Sequence, residues 1–261
     1  MLSWINAGIL GAIEGLTEFL PVSSTAHLMV GATILGIPQD AFVKTFEIAI
    51  QLGAIVAVFA YFRHSLHAYI SLLPKIITAF IPTALIGFIL YHFIKNYLIG
   101  NLVIIPVTLV LGGIVMIVFE KNKKIVASKG DAVAEIKTMS TATAIFIGLA
   151  QAIAVIPGVS RSAATIIAGL SRGLSREAIV LFTFLLGAPT LLAATLYDLY
   201  KTAPHLESGQ FSLLAVGFLT ALIFAYISVG FMIRLVKRVG FVPFGWYRIV
   251  VGILFAAFLL L

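Results

Sequence analysis

The chain has 261 residues, of which 61% are hydrophobic and 10% charged, with a mean hydropathy of +1.15 and a formal net charge of +7. Soluble domains carry roughly 25% charged residues and about half apolar ones, so a soluble fold is excluded and an integral membrane protein is expected. The basic excess forms no stripe interleaved with aromatics, which argues against nucleic acid as a partner, and the lack of cysteine excludes disulfides, thiolate chemistry and Cys-ligated metal.

Apolar runs near the length of a bilayer span recur along the chain, without the alternation of a transmembrane barrel, so the spans are read as helices. The opening M-L-S-W-I-N-A-G-I-L lacks a basic region and a cleavage site and is not expected to be a removable signal peptide. Helical segments are predicted at 3–20, 24–36, 41–62, 70–92, 100–119, 139–156, 160–171, 176–198, 211–236 and 245–261. Segments 24–36 and 160–171 are too short to span. Each follows a proline-broken polar turn, L-P-V-S-S-T and I-P-G-V-S-R-S.

The two turns match at an offset of 137 positions. Gly11 falls on Gly148, Glu14 on Gln151, Ser23 on Ser160, Thr25 on Ser162, Gly36 on Gly173 and Pro106 on Pro243. Polar non-helical backbone at membrane depth is tolerated only where protein or water covers it. Stretches 3–36 and 139–172 are therefore read as re-entrant helical hairpins, each followed by three transmembrane helices. The first repeat with its cytoplasmic linker is 1–137 and the second 138–261, in one membrane domain. An odd number of crossings inverts the second repeat relative to the first, as in many transporters.

Basic residues then orient the chain. Arg63, Lys75, the lysines of 121–137, Arg172, Arg176 and the basic run 234–238 fall in cytoplasmic gaps, with Arg248 just inside the last helix. Lys44, Lys95 and Lys201 fall opposite, a bias that sets the cytoplasmic side. The first hairpin opens outward, the second inward, and their tips are expected to meet near the midplane.

Glu14 and Glu18 are four residues apart and share one helix face. A carboxylate at the centre of a membrane helix costs roughly 2.5–3.5 kcal/mol, so two need pairing, protons, water or metal. Ser23, Ser24 and Thr25 open the next short helix, whose free N–H groups suit an anion, although N-capping alone accounts for one hydroxyl. Ser160, Arg161 and Ser162 repeat the arrangement and add a guanidinium, which at membrane depth needs an anionic partner, either a glutamate or a phosphate. His27 beside these hydroxyls fits an activated nucleophile. Carboxylates beside a phosphate suit a hard divalent cation, Mg or Ca, and the whole inventory fits phosphoryl transfer better than acyl transfer. Lys44, Glu47 and Gln51 form a lesser candidate wall, or a simple ion pair with a polar neighbour. His64 and His67 are expected at headgroup level, Trp4, Trp246 and Tyr247 as interface anchors, and Asp198 as a helix end of little relevance to the site.

The stretches E-G-L-T-E-F-L-P-V-S-S-T-A-H and P-G-V-S-R-S-A-A-T, with K-T-F-E-I-A-I-Q-L-G at 44–53 and R-I-V-V-G at 248–252, resemble the undecaprenyl pyrophosphate phosphatase family, also called bacitracin-resistance proteins. The resemblance runs through essentially the whole chain. It implies a membrane hydrolase in the bacterial cytoplasmic membrane that takes one phosphate from undecaprenyl diphosphate near the outer face, needs a divalent cation and confers bacitracin resistance. Family roles carry onto Glu14, Glu18, Ser24, His27 and Arg161, with Ser23, Thr25 and Ser160 in support. Two family glycines are replaced by Ala26 and Ala163, and a frequent carboxylate by Leu181.

The leading expectation is a lipid-diphosphate phosphatase. Glu14 and Glu18 hold the cation, Arg161 and the helix N-termini hold the diphosphate, and Ser24 attacks with His27 as base, or the reverse. The rival is a transporter or flippase of a phosphorylated prenyl lipid or anion. Expected partners are the prenyl diphosphate and membrane lipids, and the oligomeric state is left open.

Overall fold

The computed structural model describes residues 2–99, 101–122, 130–202, 204 and 206–260. Lys123, Lys124 and Lys129, and the side chains of His67 and Lys237, lie outside the described residues.

Among the described residues every regular element is helical. In chain order these are α1 (Trp4–Thr17), α2 (Ser24–Ile34), α3 (Ala41–Ala49), α4 (Gln51–Tyr61), α5 (Leu66–Ile70), α6 (Leu73–Phe93), α7 (Ile104–Asn122), α8 (Ala132–Thr138), α9 (Thr141–Ala152), α10 (Arg161–Ser171), α11 (Arg176–Thr202), α12 (Ser208–Val239) and α13 (Val242–Leu260). Six described stretches are long and apolar enough to cross a bilayer: α3 with α4, α6, α7, α11, α12 and α13. Their outer faces carry bare Leu, Ile, Val and Phe side chains, such as Leu85, Phe88, Ile223 and Leu254. Water would not tolerate so broad an apolar surface, but lipid does. The chain is an all-α membrane protein.

The short helices α1, α2, α9 and α10 lie among these six. At 1.5 Å per residue the 11-residue α2 and α10 are roughly 16 Å long, half the hydrocarbon thickness. Polar side chains start them: Ser23 caps α2 by accepting from Ala26 N, and Ser160 caps α10 by accepting from Ala163 N. Both cap serines adopt a left-handed φ, 74° and 72°, the only non-glycine residues described that do so. Ala26 and Ala163 lie inside the helical turns that follow, so the alanines at the two family glycine positions need no left-handed backbone.

Helices from distant parts of the chain pack together. Helix α1 packs on α12, α9 packs on α6, and α7 and α13 pack on each other. Gly11 lets α1 approach the Gly217 carbonyl of α12, where a methyl group would lie 2.5 Å away. Gly148 does the same for α9 against Ala79 of α6, where it would lie at 2.0 Å.

Three details differ from the sequence reading. The region before 139 contains a further helix, α8, which meets the following helix at a 101° bend. Its Glu135 is buried and accepts from Ser175 N at 2.6 Å and Ser175 Oγ at 2.7 Å, capping the start of α11. Helix α11 continues past 198 to Thr202, and α12 occupies Ser208–Val239. Arg248, counted above among the cytoplasmic topology charges, is fully buried. Its flanking run F-G-W-Y-R-I-V-V-G is apolar, and such a charge inside a membrane helix serves the protein interior.

Candidate active site

The two hairpin tips meet. Arg161, the first residue of α10, reaches Glu18 of the first tip, with Nη2 2.9 Å from Oε1. Ser162 Oγ donates to the Leu20 carbonyl at 2.9 Å and shares a hydrogen bond with Ser160 Oγ. A single residue of the last helix ties both tips down. The Arg248 guanidinium donates to the carbonyls of Pro21, Gly158, Val159 and Thr108, at 2.7–3.2 Å. A planar fork with several donors suits four converging carbonyls in a way a lysine cannot. Gly112 leaves room for it, since a methyl group there would lie 2.1 Å from Nη2.

Glu18 is the hub of the polar cluster. One carboxylate oxygen accepts from Arg161 and the other from Ser24 Oγ, in a short hydrogen bond. Glu14, one helical turn earlier, is completely buried beside Glu18, and neither of its oxygens has a hydrogen-bond partner. Arg161 Nη1 donates to the Thr183 carbonyl at 3.3 Å, while Nε has no partner, so the guanidinium keeps donor capacity in reserve. It fits against Gly187 of α11, where a methyl group would lie 2.0 Å from Nη1.

A cavity of about 470 Å³ opens over this cluster, within the size range of small-molecule sites. Glu18, Ser23, Ser24, Thr25, Ser160 and Arg161 line one end, and Gln51, at the start of α4, lies along its wall. Gln151, which falls on Glu14 at the 137-position offset, donates to Thr83 and Thr190 at 3.1 and 3.0 Å. Those threonines directly follow Pro82 and Pro189, the prolines inside α6 and α11, so one amide bridges the two points where the helices lose a backbone bond. Phe88 lines the cavity and is also 64% exposed, which marks a sideways opening toward lipid beside α6.

The structure does not bring every candidate into this cavity. His27 is not part of the lining; its Nδ1 lies 2.8 Å from the Ser23 carbonyl and its Nε2 2.9 Å from the Tyr247 hydroxyl. A carbonyl only accepts, so Nδ1 carries the proton and Nε2 accepts from the tyrosine. The group that accepts from Ser24 Oγ is Glu18, in place of the expected His27. Tyr247, expected as an interface anchor, stacks on His27 with ring planes 4° apart. Glu47 is buried, is not part of the lining, and accepts from Gln39 at 2.8 Å instead of pairing with Lys44. Asp198, given little weight above, is buried and pairs with Lys95, which lines the cavity.

Carboxylate oxygens without donors, beside a second carboxylate and hydroxyls, fit a hard cation. Among the described residues no three His, Cys, Asp or Glu side chains converge as a self-sufficient metal cage. Among the described residues Glu14 and Glu18 are the adjoining carboxylates, and a bound cation would draw its remaining oxygens from phosphate and water, the usual habit of Mg²⁺.

Residues 7–254 match the family described as bacitracin resistance protein BacA. The chain is similar to proteins named undecaprenyl-diphosphatase from three bacteria. It is 45% identical to that of Aquifex aeolicus, covering all of both chains, and 47% identical to that of Wolinella succinogenes, covering 97% of each. To that of Thermus thermophilus it is 43% identical, over 98% of this chain and 97% of the relative.

Proposed function

Because the chain belongs to the bacitracin resistance protein BacA family, we propose that it hydrolyses undecaprenyl diphosphate to undecaprenyl phosphate and inorganic phosphate. The product is the lipid carrier reused in peptidoglycan synthesis, and faster turnover of the diphosphate confers bacitracin resistance. The observation that carries this reading is Glu18, shared between the Ser24 hydroxyl and the Arg161 guanidinium.

In the resting site Arg161 has a resident carboxylate as its anion. An incoming diphosphate offers a better bidentate match, drawing the guanidinium from Glu18 and leaving that carboxylate free to take the Ser24 proton. Ser24 Oγ attacks the terminal phosphorus, the bond to the bridging oxygen breaks, and prenyl monophosphate leaves. Water then attacks the phosphoserine, Glu18 returns the proton to Oγ, and inorganic phosphate is released. Ser23, Thr25, Ser160 and the N–H groups that start α2 and α10 hold phosphate oxygens, while Ser162, expected among them, is buried outside the cavity lining and fastens the two tips through the Leu20 carbonyl. Arg161 stabilises the charge that develops on them. His27 acts as a positioning residue, since its ring holds the carbonyl of the strained cap Ser23. A divalent cation, Mg or Ca, held by Glu14 and Glu18, would neutralise phosphate charge. The prenyl tail leaves sideways past Phe88 into lipid.

The same reading takes residues 1–137 and 138–261 as two inverted repeats, supported by the matching caps Ser23 and Ser160 and by the exchanged pairing of α1 with α12 and α9 with α6. It assigns the protein to the bacterial cytoplasmic membrane, with the site opening to the outer face.

Phosphate release from undecaprenyl diphosphate by the purified full chain tests the proposal. Ser24→Ala, Glu18→Gln and Arg161→Gln are each expected to lower kcat by a thousandfold or more with folding retained, and a chelator to abolish release until Mg²⁺ or Ca²⁺ is restored. No release by the wild-type chain under any cation would leave a transporter of prenyl phosphates as the better reading. Full activity in Ser24→Ala would remove the serine as nucleophile.

A further inference from the structure

The catalytic reading uses only one end of the cavity. The opposite end is lined by Tyr91, Lys95 and Tyr197. Lys95 sits on a π-helical turn, Ile94–Leu98, that extends α6, a distortion that recurs at functional positions. Its ammonium pairs with Asp198 of α11 and contacts Thr45 Oγ1 at 3.3 Å. Tyr91, one turn earlier on α6, donates to the same Asp198 oxygen at 2.7 Å, and the other Asp198 oxygen is buried without a hydrogen-bond partner.

Asp198 lies 11 residues along α11 from Gly187, the residue on which Arg161 rests, which at 1.5 Å per residue is roughly 16 Å. The two ends are built alike: each has a cation facing the cavity, held by a buried carboxylate that also accepts from a hydroxyl. At the catalytic end these are Arg161, Glu18 and Ser24, and at the far end Lys95, Asp198 and Tyr91. Tyr91 still donates to Asp198 when Lys95 turns away, so the lysine can exchange its resident anion for another.

We propose that Lys95 forms a second phosphate-binding site at the far mouth of the cavity, a waystation for a phosphate group moving to or from Arg161. The Asp198 carboxylate keeps the lysine ordered when no phosphate is present, and the lysine, a flexible point charge, suits brief capture better than the fixed fork at the catalytic end. The proposal rests on the phosphatase reading only for the direction of traffic, since phosphate binding at Lys95 needs no turnover.

Calorimetric titration of the full-length protein in detergent with inorganic phosphate separates the two. Arg161→Gln removes the catalytic-end site, and one phosphate-binding event is expected to survive. Adding Lys95→Gln should abolish it. So should Lys95→Gln combined with Asp198→Asn in the same background, a neutral pair that keeps a hydrogen bond across the mouth and guards against misfolding. Asp198→Asn alone frees the lysine and is expected to tighten phosphate fivefold or more. Phosphate binding that persists without Lys95, or unchanged affinity in Asp198→Asn, overturns the site. If turnover fails while this binding behaves as expected, the catalytic reading falls and the site stands. In the turnover assay, a several-fold rise in KM for prenyl diphosphate at unchanged kcat in Lys95→Gln identifies the lipid head group as the visitor. A weaker product inhibition by inorganic phosphate alone identifies the leaving product, and no change in either overturns the waystation.

Discussion

Ser23 and Ser160 hold φ values of 74° and 72°, in a region that costs a non-glycine residue about 1–3 kcal/mol. Such strain survives only where the surroundings fix it. At Ser23 the fixing group is His27, whose Nδ1–H donates to the Ser23 carbonyl while its Nε2 accepts from the Tyr247 hydroxyl. At Ser160 no histidine follows, and Arg248 performs the equivalent service by binding the carbonyls of Gly158 and Val159. If His27 works by positioning, Tyr247 belongs to the same unit. His27→Ala and Tyr247→Phe are each expected to lower kcat about tenfold, the worth of roughly one hydrogen bond. The double variant should be no slower than His27→Ala alone, as for residues that act together. A tyrosine variant at full rate beside an inactive histidine variant would restore the histidine as a direct proton carrier.

At the scale of elements, α11 is the rail on which the site is laid out. It provides Gly187 under Arg161, the Thr183 carbonyl that accepts from it, Thr190 for Gln151 and Asp198 for Lys95. The space left by Gly187 is filled by a guanidinium, so Gly187→Ala cannot be accommodated without moving Arg161. A shift of about 1 Å at a catalytic group can cost a hundredfold. The expected outcome is a kcat/KM about a hundredfold lower with near-normal thermal stability, read by steady-state kinetics beside a melting curve. Equal rates would mean that Arg161 has slack. Proline places α6 and α11 in the same frame: in each, the threonine that Gln151 binds directly follows the proline, so one amide links the two helices where proline removes a backbone donor.

At the scale of the whole molecule, two groups of polar contacts tie distant helices together. Thr45, Lys95 and Asp198 gather at one end of the bundle. Glu120, Arg176 and Phe241 gather at another point, where Glu120 pairs with Arg176 and accepts from Phe241 N. The inverted-repeat reading puts these groups on opposite membrane faces. Single cysteines introduced at Thr138 and Ser208, both exposed, in a chain that has none of its own, are expected to react with a membrane-impermeant thiol reagent from opposite sides. Labelling of both from one side would reverse the assignment of one half.

Much of this was legible in the chain. Helical spans follow from apolar length alone, because a bilayer leaves a single chain few ways to satisfy its backbone. The broken helices were legible because proline and serine cannot lie idle at membrane depth, and Glu14, Glu18, Ser24 and Arg161 stood out as polar groups that hydrocarbon would not otherwise tolerate. What the chain could not disclose was partnership. Glu18 as the acceptor for Ser24, Tyr247 as the support of His27, Lys95 and Asp198 as a pair, and Arg248 as the clasp on both tips join residues 6 to 227 positions apart. Local sequence encodes which groups must be buried and paired. Only the packing of helices distant in sequence decides which partner each one finds, because directional hydrogen bonds are chosen by positions in space that no local spacing specifies.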